Sequence, residues 1–190
     1  MNHESTLSNN TKDYLEVYYS ILDNMIEGMT NVTLTDSISH NFIIQMIPHH
    51  RAAIQMSENL LKYTTNIPLQ NIASGIITAQ TQSIAAMQKV QPYCSRITNL
   101  ERDLSLYQRK ADQIMRTMFD RMLNARVFND INANFIHEML PHHMGAVEMS
   151  KNALQYNLCV DLIPILDAII SSQERGIKQM QQVLRQIGSY

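Results

Sequence analysis

Tryptophan is absent from this chain. With only five glycines and five prolines among 190 residues, the chain also lacks the turn formers that a sandwich or barrel of many short strands would need. Charge of either sign is sparse and unclustered. Fifteen basic and seventeen acidic residues give a net −2, so no basic footprint for nucleic acid or an anionic membrane exists. Long apolar runs are missing as well, which leaves no candidate membrane span. The first residues, Met1 to Thr11, are polar and carry no secretory signal, so a cytoplasmic location is expected unless a leader has been removed. Aliphatic residues and thirteen methionines dominate what remains, and the expected class is all-α with a core that buries roughly 70% of the unfolded surface.

What the chain does contain, it contains twice. Met46-Ile-Pro-His-His-Arg-Ala-Ala-Ile-Gln-Met56 recurs as Met139-Leu-Pro-His-His-Met-Gly-Ala-Val-Glu-Met149, an ungapped offset of 93 residues. Carried from Tyr14/Tyr107 to Val90/Val183, that register keeps 28 of 77 paired positions identical. Thioether and imidazole stand out among the kept side chains: Met25, Met29, Met46, Met56 and Met87 answer Met118, Met122, Met139, Met149 and Met180, and His49-His50 answers His142-His143. The cysteines fall outside the set. Cys94 and Cys159 occupy non-equivalent places without CxxC spacing, so free thiols are expected.

Each copy reads as three helical segments, about 12–29, from Asp36 or Ser37 to near Tyr63, and 67–90 in the first, with counterparts from about 100 in the second. The boundaries are then repeat 1 over 12–90, a linker over 91–99 and repeat 2 over 100–186. Two long helical hairpins pack most simply as one compact four-helix bundle, ferritin-like in outline, with an additional N-terminal helix per repeat. Pro48 and Pro141 fall in the second segments, where they either kink a continuous helix or start a new one.

At 3.6 residues per turn Met46, His49, His50, Ala53 and Met56 share one face, and Phe42 and Leu60 extend it. Met139, His142, His143, Ala146 and Met149 repeat that face. Thioether sulfur is a soft ligand suited to Cu(I), and imidazole suits several transition metals, so a metal site of this composition points first to copper. Met87 and Met180 could complete a shell from the third segments, and Gln80 and Gln173, on the same stripe, could orient a histidine. The alternative is packing, because methionine fills irregular cores and a buried histidine can satisfy its ring on backbone carbonyls. Other motifs fail. His137-Glu138 before His142 is misspaced for HExxH, the bundle stripes lack the carboxylates of a di-iron site, and no catalytic residue is named.

The runs Phe42-x3-Met46-Ile-Pro-His-His-x2-Ala53-Ile-x-Met56 and Ile76-Ile-x2-Gln80-x3-Ile84-x2-Met87, with their second-copy matches, resemble the bacterial family known as domain of unknown function 305. That resemblance covers most of the chain as a tandem pair. It implies a ferritin-like fold and, for some members, copper binding or resistance. Two departures stand out: Ser83 and Gly176 occupy the places where the family usually has a glutamate, and a common tryptophan is missing.

The leading expectation is a non-enzymatic bundle that buffers or delivers copper through Met46, His49, His50 and Met56 in one site and Met139, His142, His143 and Met149 in another, with a metal ion as partner and room for a homo-oligomer. A structural or interaction bundle whose buried His-His pairs bind no metal is the alternative. An enzyme of ferritin-like ancestry is the weakest reading.

Overall fold

A computed structural model describes residues 7–188. Six of the residues in the polar opening, 1–6, lie outside them. The order is α1 (Asn9–Thr30), α2 (Ile38–Leu61), α3 (Ile67–Cys94), α4 (Glu101–Leu123), α5 (Ile131–Ala153), a 3-10 turn (Val160–Leu162) and α6 (Ile163–Ile187), and no strand occurs among the described residues. Local chemistry sets the starts. Ser37 accepts from the His40 amide at 3.2 Å, Asn66 from Leu69 at 3.0 Å and Asp130 from Asn132 at 2.9 Å, each satisfying an amide that the first helical turn leaves free.

Three boundaries differ from the sequence expectation. Helix α3 runs on to Cys94, so the linker shrinks to 95–100. Pro92 is tolerated because it falls in the last turn, where one lost bond costs little, and the Ser95 amide still reaches the Gln91 carbonyl at 2.9 Å. Helix α6 begins later than the register of α3 implies. Proline stands within the first two positions of both helices, but Pro164 aligns with Asn71 and not with Pro68, so a 3-10 turn fills the gap. Finally, Pro48 and Pro141 lie inside uninterrupted helices, which rules out the helix-start alternative.

Helices α2, α3, α6 and α5 form a closed ring of neighbours, while α1 packs on α2 and α4 on α5. Tyr14, Leu22, Met29, Phe42, Met46 and their counterparts Tyr107, Met115, Met122, Phe135 and Met139 fill the core. The outer helices are pinned alike: Asn59 Nδ2 donates to the Tyr14 carbonyl at 3.0 Å and Asn152 Nδ2 to the Tyr107 carbonyl at 3.1 Å. Among the described residues no helix is long and apolar enough to cross a membrane.

The approach of α1 to α2 depends on one missing side chain. A Cβ at Gly28 would lie 2.9 Å from the Cβ of Pro48, a rigid ring that cannot swing away. Alanine in a helix interior gains about 1 kcal/mol over glycine, whereas forcing packed elements apart costs about 1–3 kcal/mol. Gly28→Ala is therefore expected to lose about 1 kcal/mol net, read as a melting temperature lower by about 2–4 °C.

The cysteines are not free. Cys94 and Cys159 form a disulfide with Cα atoms 5.1 Å apart. Repeat equivalence was the wrong test for them. Helices α3 and α6 are antiparallel neighbours, so the end of one meets the approach to the other.

Candidate metal centre

Both His-His pairs are carried on the innermost faces of α2 and α5, neighbours in the ring. All four imidazoles are at most 2% exposed. Each pair directly follows a proline, which has no amide to give the carbonyl four residues back. Met46 and Met139 stand one turn before His50 and His143 on the same helices.

His49 and His142 meet across the halves. Their rings stack with centroids 3.6 Å apart and planes 24° from parallel. His49 Nε2 lies 3.1 Å from the His142 carbonyl oxygen, and His142 Nε2 lies 3.0 Å from the His49 carbonyl oxygen. A carbonyl only accepts, so each Nε2 carries the proton and each Nδ1 of a neutral ring carries a lone pair. Neither Nδ1 has a hydrogen-bond partner, although both are buried. Two buried lone-pair donors are thus fixed by tautomer, each set by the other half's backbone.

His50 and His143 face outward from that stack, 5.9 Å by centroid from His49 and His142 respectively. Both border a cleft of about 470 Å³ between α3 and α6. There the halves diverge. His50 Nε2 pairs with the Ser83 hydroxyl at 3.0 Å, whereas the equivalent Gly176 offers His143 nothing, and a Cβ at 176 would sit 2.8 Å from His143 Nε2. The Nδ1 atoms of His50 and His143 are also buried without partners. Gln80 and Gln173, 3% exposed, line the cleft with unpartnered Oε1 atoms.

Burial sets the charge. Desolvation lowers all four histidines, His50 to about 3 and His142 to about 4, and the neighbouring imidazoles push His49 and His143 down further. At neutral pH the cluster holds four uncharged rings, ready to donate to a metal without first releasing a proton.

The methionines named from the sequence, Met46, Met56, Met87, Met139, Met149 and Met180, are all buried at 0–1% exposure. The structure does not separate the histidines into one group per copy: it joins His49 to His142 and sets His50 and His143 along one cleft. Met118 has a packing role, its side chain filling the space over Gly145 where a Cβ would be. Among the described residues no three His, Cys, Asp or Glu side chains are grouped so that they could hold a metal ion.

Sequence reasoning missed one buried acid. Glu138, 2% exposed, accepts from the Tyr14 hydroxyl at 2.6 Å, and burial pushes its carboxyl up to about 8, partly offset by that hydrogen bond. Its counterpart is Gln45, so comparison of the two copies could not reveal it. The HExxH search touched Glu138 only to reject it.

Comparison with known proteins gives a consistent picture. The sequence matches the family described as domain of unknown function (DUF305) over residues 22–91 and 39–184. Among solved structures it is similar to CopM in a Cu(I)-bound form, at 29% identity and a TM-score of 0.57, covering 81% of this chain and 98% of that one. CopM in an Ag-bound form obtained by co-crystallization matches at 26% identity and a TM-score of 0.58, covering 78% and 96%. The apo form of CopM matches at 28% and 0.58 with the same coverage. No curated protein matches.

Proposed function

This chain belongs to the DUF305 family, and from that premise we propose that its paired histidines and buried thioethers bind a soft monovalent metal ion, copper(I) foremost, for buffering or delivery and not for catalysis. The observation that carries the reading is the set of four buried Nδ1 atoms without partners, two of them fixed as lone-pair donors by hydrogen bonds on the far side of the ring. A lone pair buried with nothing to accept is costly. A cation removes that cost. Thioether and neutral imidazole are the donor types that suit Cu(I), and the likeness to CopM, solved with Cu(I) and with Ag, supports the same choice. The ligands are drawn from His49, His50, His142 and His143 with Met46, Met56, Met139 and Met149. Met87 and Met180 stand on the adjoining helices, and Gln80 and Gln173 are acceptors near His50 and His143. The two halves serve as a duplicated unit contributing to one centre.

Titration of the apo protein with Cu(I) against a chromophoric chelator tests the reading. Stoichiometric uptake, lost when all four histidines become alanine, is the expected result. Equal affinity in that variant would end it. A second reading has its own support in the reciprocal ring-to-carbonyl bonds: the histidines lock α2 to α5 and bind no metal. It requires that protein isolated under reducing conditions, without an affinity tag, contain no metal.

The disulfide bears on location. Bonds of this kind persist in oxidising compartments, so Cys94–Cys159 supports a working place outside the reducing cytoplasm, contrary to the expectation from the polar first residues. Alkylation of the denatured protein is expected to label no thiol before reduction and two after it, counted by mass. Two labels without reductant would return the protein to the cytoplasm.

A further inference from the structure

We propose that the cleft between α3 and α6 is the port through which the soft cation loads, with His143 Nε2 as its first landing atom and Gly176 as the residue that keeps that atom open. The proposal rests on the metal-binding reading and adds a path and a direction. Of the two ring nitrogens bordering the cleft, His50 Nε2 is occupied by the Ser83 hydroxyl at 3.0 Å, and His143 Nε2 has no hydrogen-bond partner among the described residues. The difference is a single side chain. Any Cβ at 176 would fall 2.8 Å from both Cδ2 and Nε2 of His143, closing the gap over the ring.

The two ends of the groove differ as well. One end, beside Asn71, Gln179, Gln182 and Gln186, is part of the 470 Å³ cleft. The equivalent end carries Lys89, Tyr93 and Asp161 and does not reach either histidine. The open end carries four uncharged amides among apolar residues, and the cleft's one charged residue, Arg175, is exposed and screened by solvent. At the floor, the unpartnered Oε1 atoms of Gln80 and Gln173 present partial negative charge to an arriving cation. The cleft that borders the histidines thus opens at the end nearer the imidazole that is free. His49 and His142, whose Nε2 atoms are held by carbonyls, receive the ion afterwards on their Nδ1 lone pairs.

The test separates rate from affinity. Ag(I), supplied as nitrate in chloride-free buffer, is mixed with apo protein and loading is followed by stopped-flow, while equilibrium affinity is measured by competition. Gly176→Ser copies the first half and should slow loading at least tenfold with affinity changed less than threefold. Ser83→Gly opens a second nitrogen in the same cleft and should speed loading about twofold. Normal loading by a folded Gly176→Ser protein overturns the port, as does an affinity loss matching the rate loss, which would make position 176 part of the site itself. If Gly176→Ser does not fold, Ser83→Gly decides, and an unchanged rate there overturns the proposal. Wild-type protein that takes up no Ag(I) at all fails earlier and removes the metal reading together with the port.

Discussion

The Cu(I) affinity of a His50→Ala/His143→Ala variant is expected to fall by at least about 100-fold, the upper range for loss of a group that merely supports a ligand, or about 2.8 kcal/mol or more at 1.4 kcal/mol per tenfold. Its stability should change much less than that of His49→Ala/His142→Ala. The contrast follows from hydrogen bonding. His49 and His142 each hold a carbonyl of the opposite half, and a net hydrogen bond is worth about 0.5–1.5 kcal/mol; their removal also empties a stacked pair from the centre of the bundle. His50 has one bond to a hydroxyl and His143 none, so their truncation removes donors from the metal centre while breaking little between the helices. Competition titration and thermal melting of the two double variants, each without and with metal, form the experiment. Metal should raise the wild-type melting temperature by mass action, and the shift should be smaller in both variants. A wild-type shift that survives in either one removes that pair from the site. If neither form of wild type responds to metal and only His49→Ala/His142→Ala loses stability, the histidines are a lock.

Much of this was legible from residues alone, and the reason is the duplicated register. Two copies that have drifted elsewhere but both retain Met-x2-His-His-x2-Ala-x2-Met mark one face of one helix, so the all-helical class, the burial of His49, His50, His142 and His143 and the ring of four helices all follow from periodicity. The pairing of His49 with His142 does not. It depends on how α2 crosses α5, a distance in space that no spacing within either helix encodes. The disulfide escaped for a related cause, since Cys94 and Cys159 are adjacent only because antiparallel helices bring the end of α3 to the approach to α6. Differences between the copies were harder still. Ser83 and Gly176 were visible as departures from a family pattern, yet their consequence, one imidazole capped and one open, needs the 3.0 Å contact and the missing Cβ.

Glu138 is the other place where the copies part, and the replacement Glu138→Gln is expected to abolish most of the pH dependence of stability above pH 6.5. A carboxyl raised to about 8 in the fold, against an ordinary value of 4.5, is neutral when folded and charged when unfolded across that interval. Its contribution is fully present below pH 4.5 and is lost as pH rises through 8. The buried histidines act in the opposite direction, because their folded values are lowered: their contribution is complete above about 6.5 and is lost as pH falls. Between pH 6.5 and 8, then, the histidines are silent and Glu138 dominates. At 1.36 kcal/mol per pH unit, wild type should lose about 2 kcal/mol across that window by denaturant unfolding, and the glutamine variant close to none. The amide fits, for the fold already holds one at the equivalent place. Gln45 Nε2 donates to the Met29 carbonyl at 3.3 Å, whereas the matching Met122 carbonyl takes the Tyr18 hydroxyl at 3.0 Å instead. The Tyr14 hydroxyl that now donates to Glu138 would donate to the amide oxygen. A wild-type curve flat from pH 6.5 to 8, or a variant as steep as wild type, would mean that Glu138 is ionised in the fold and that Tyr14 suffices to hold its charge.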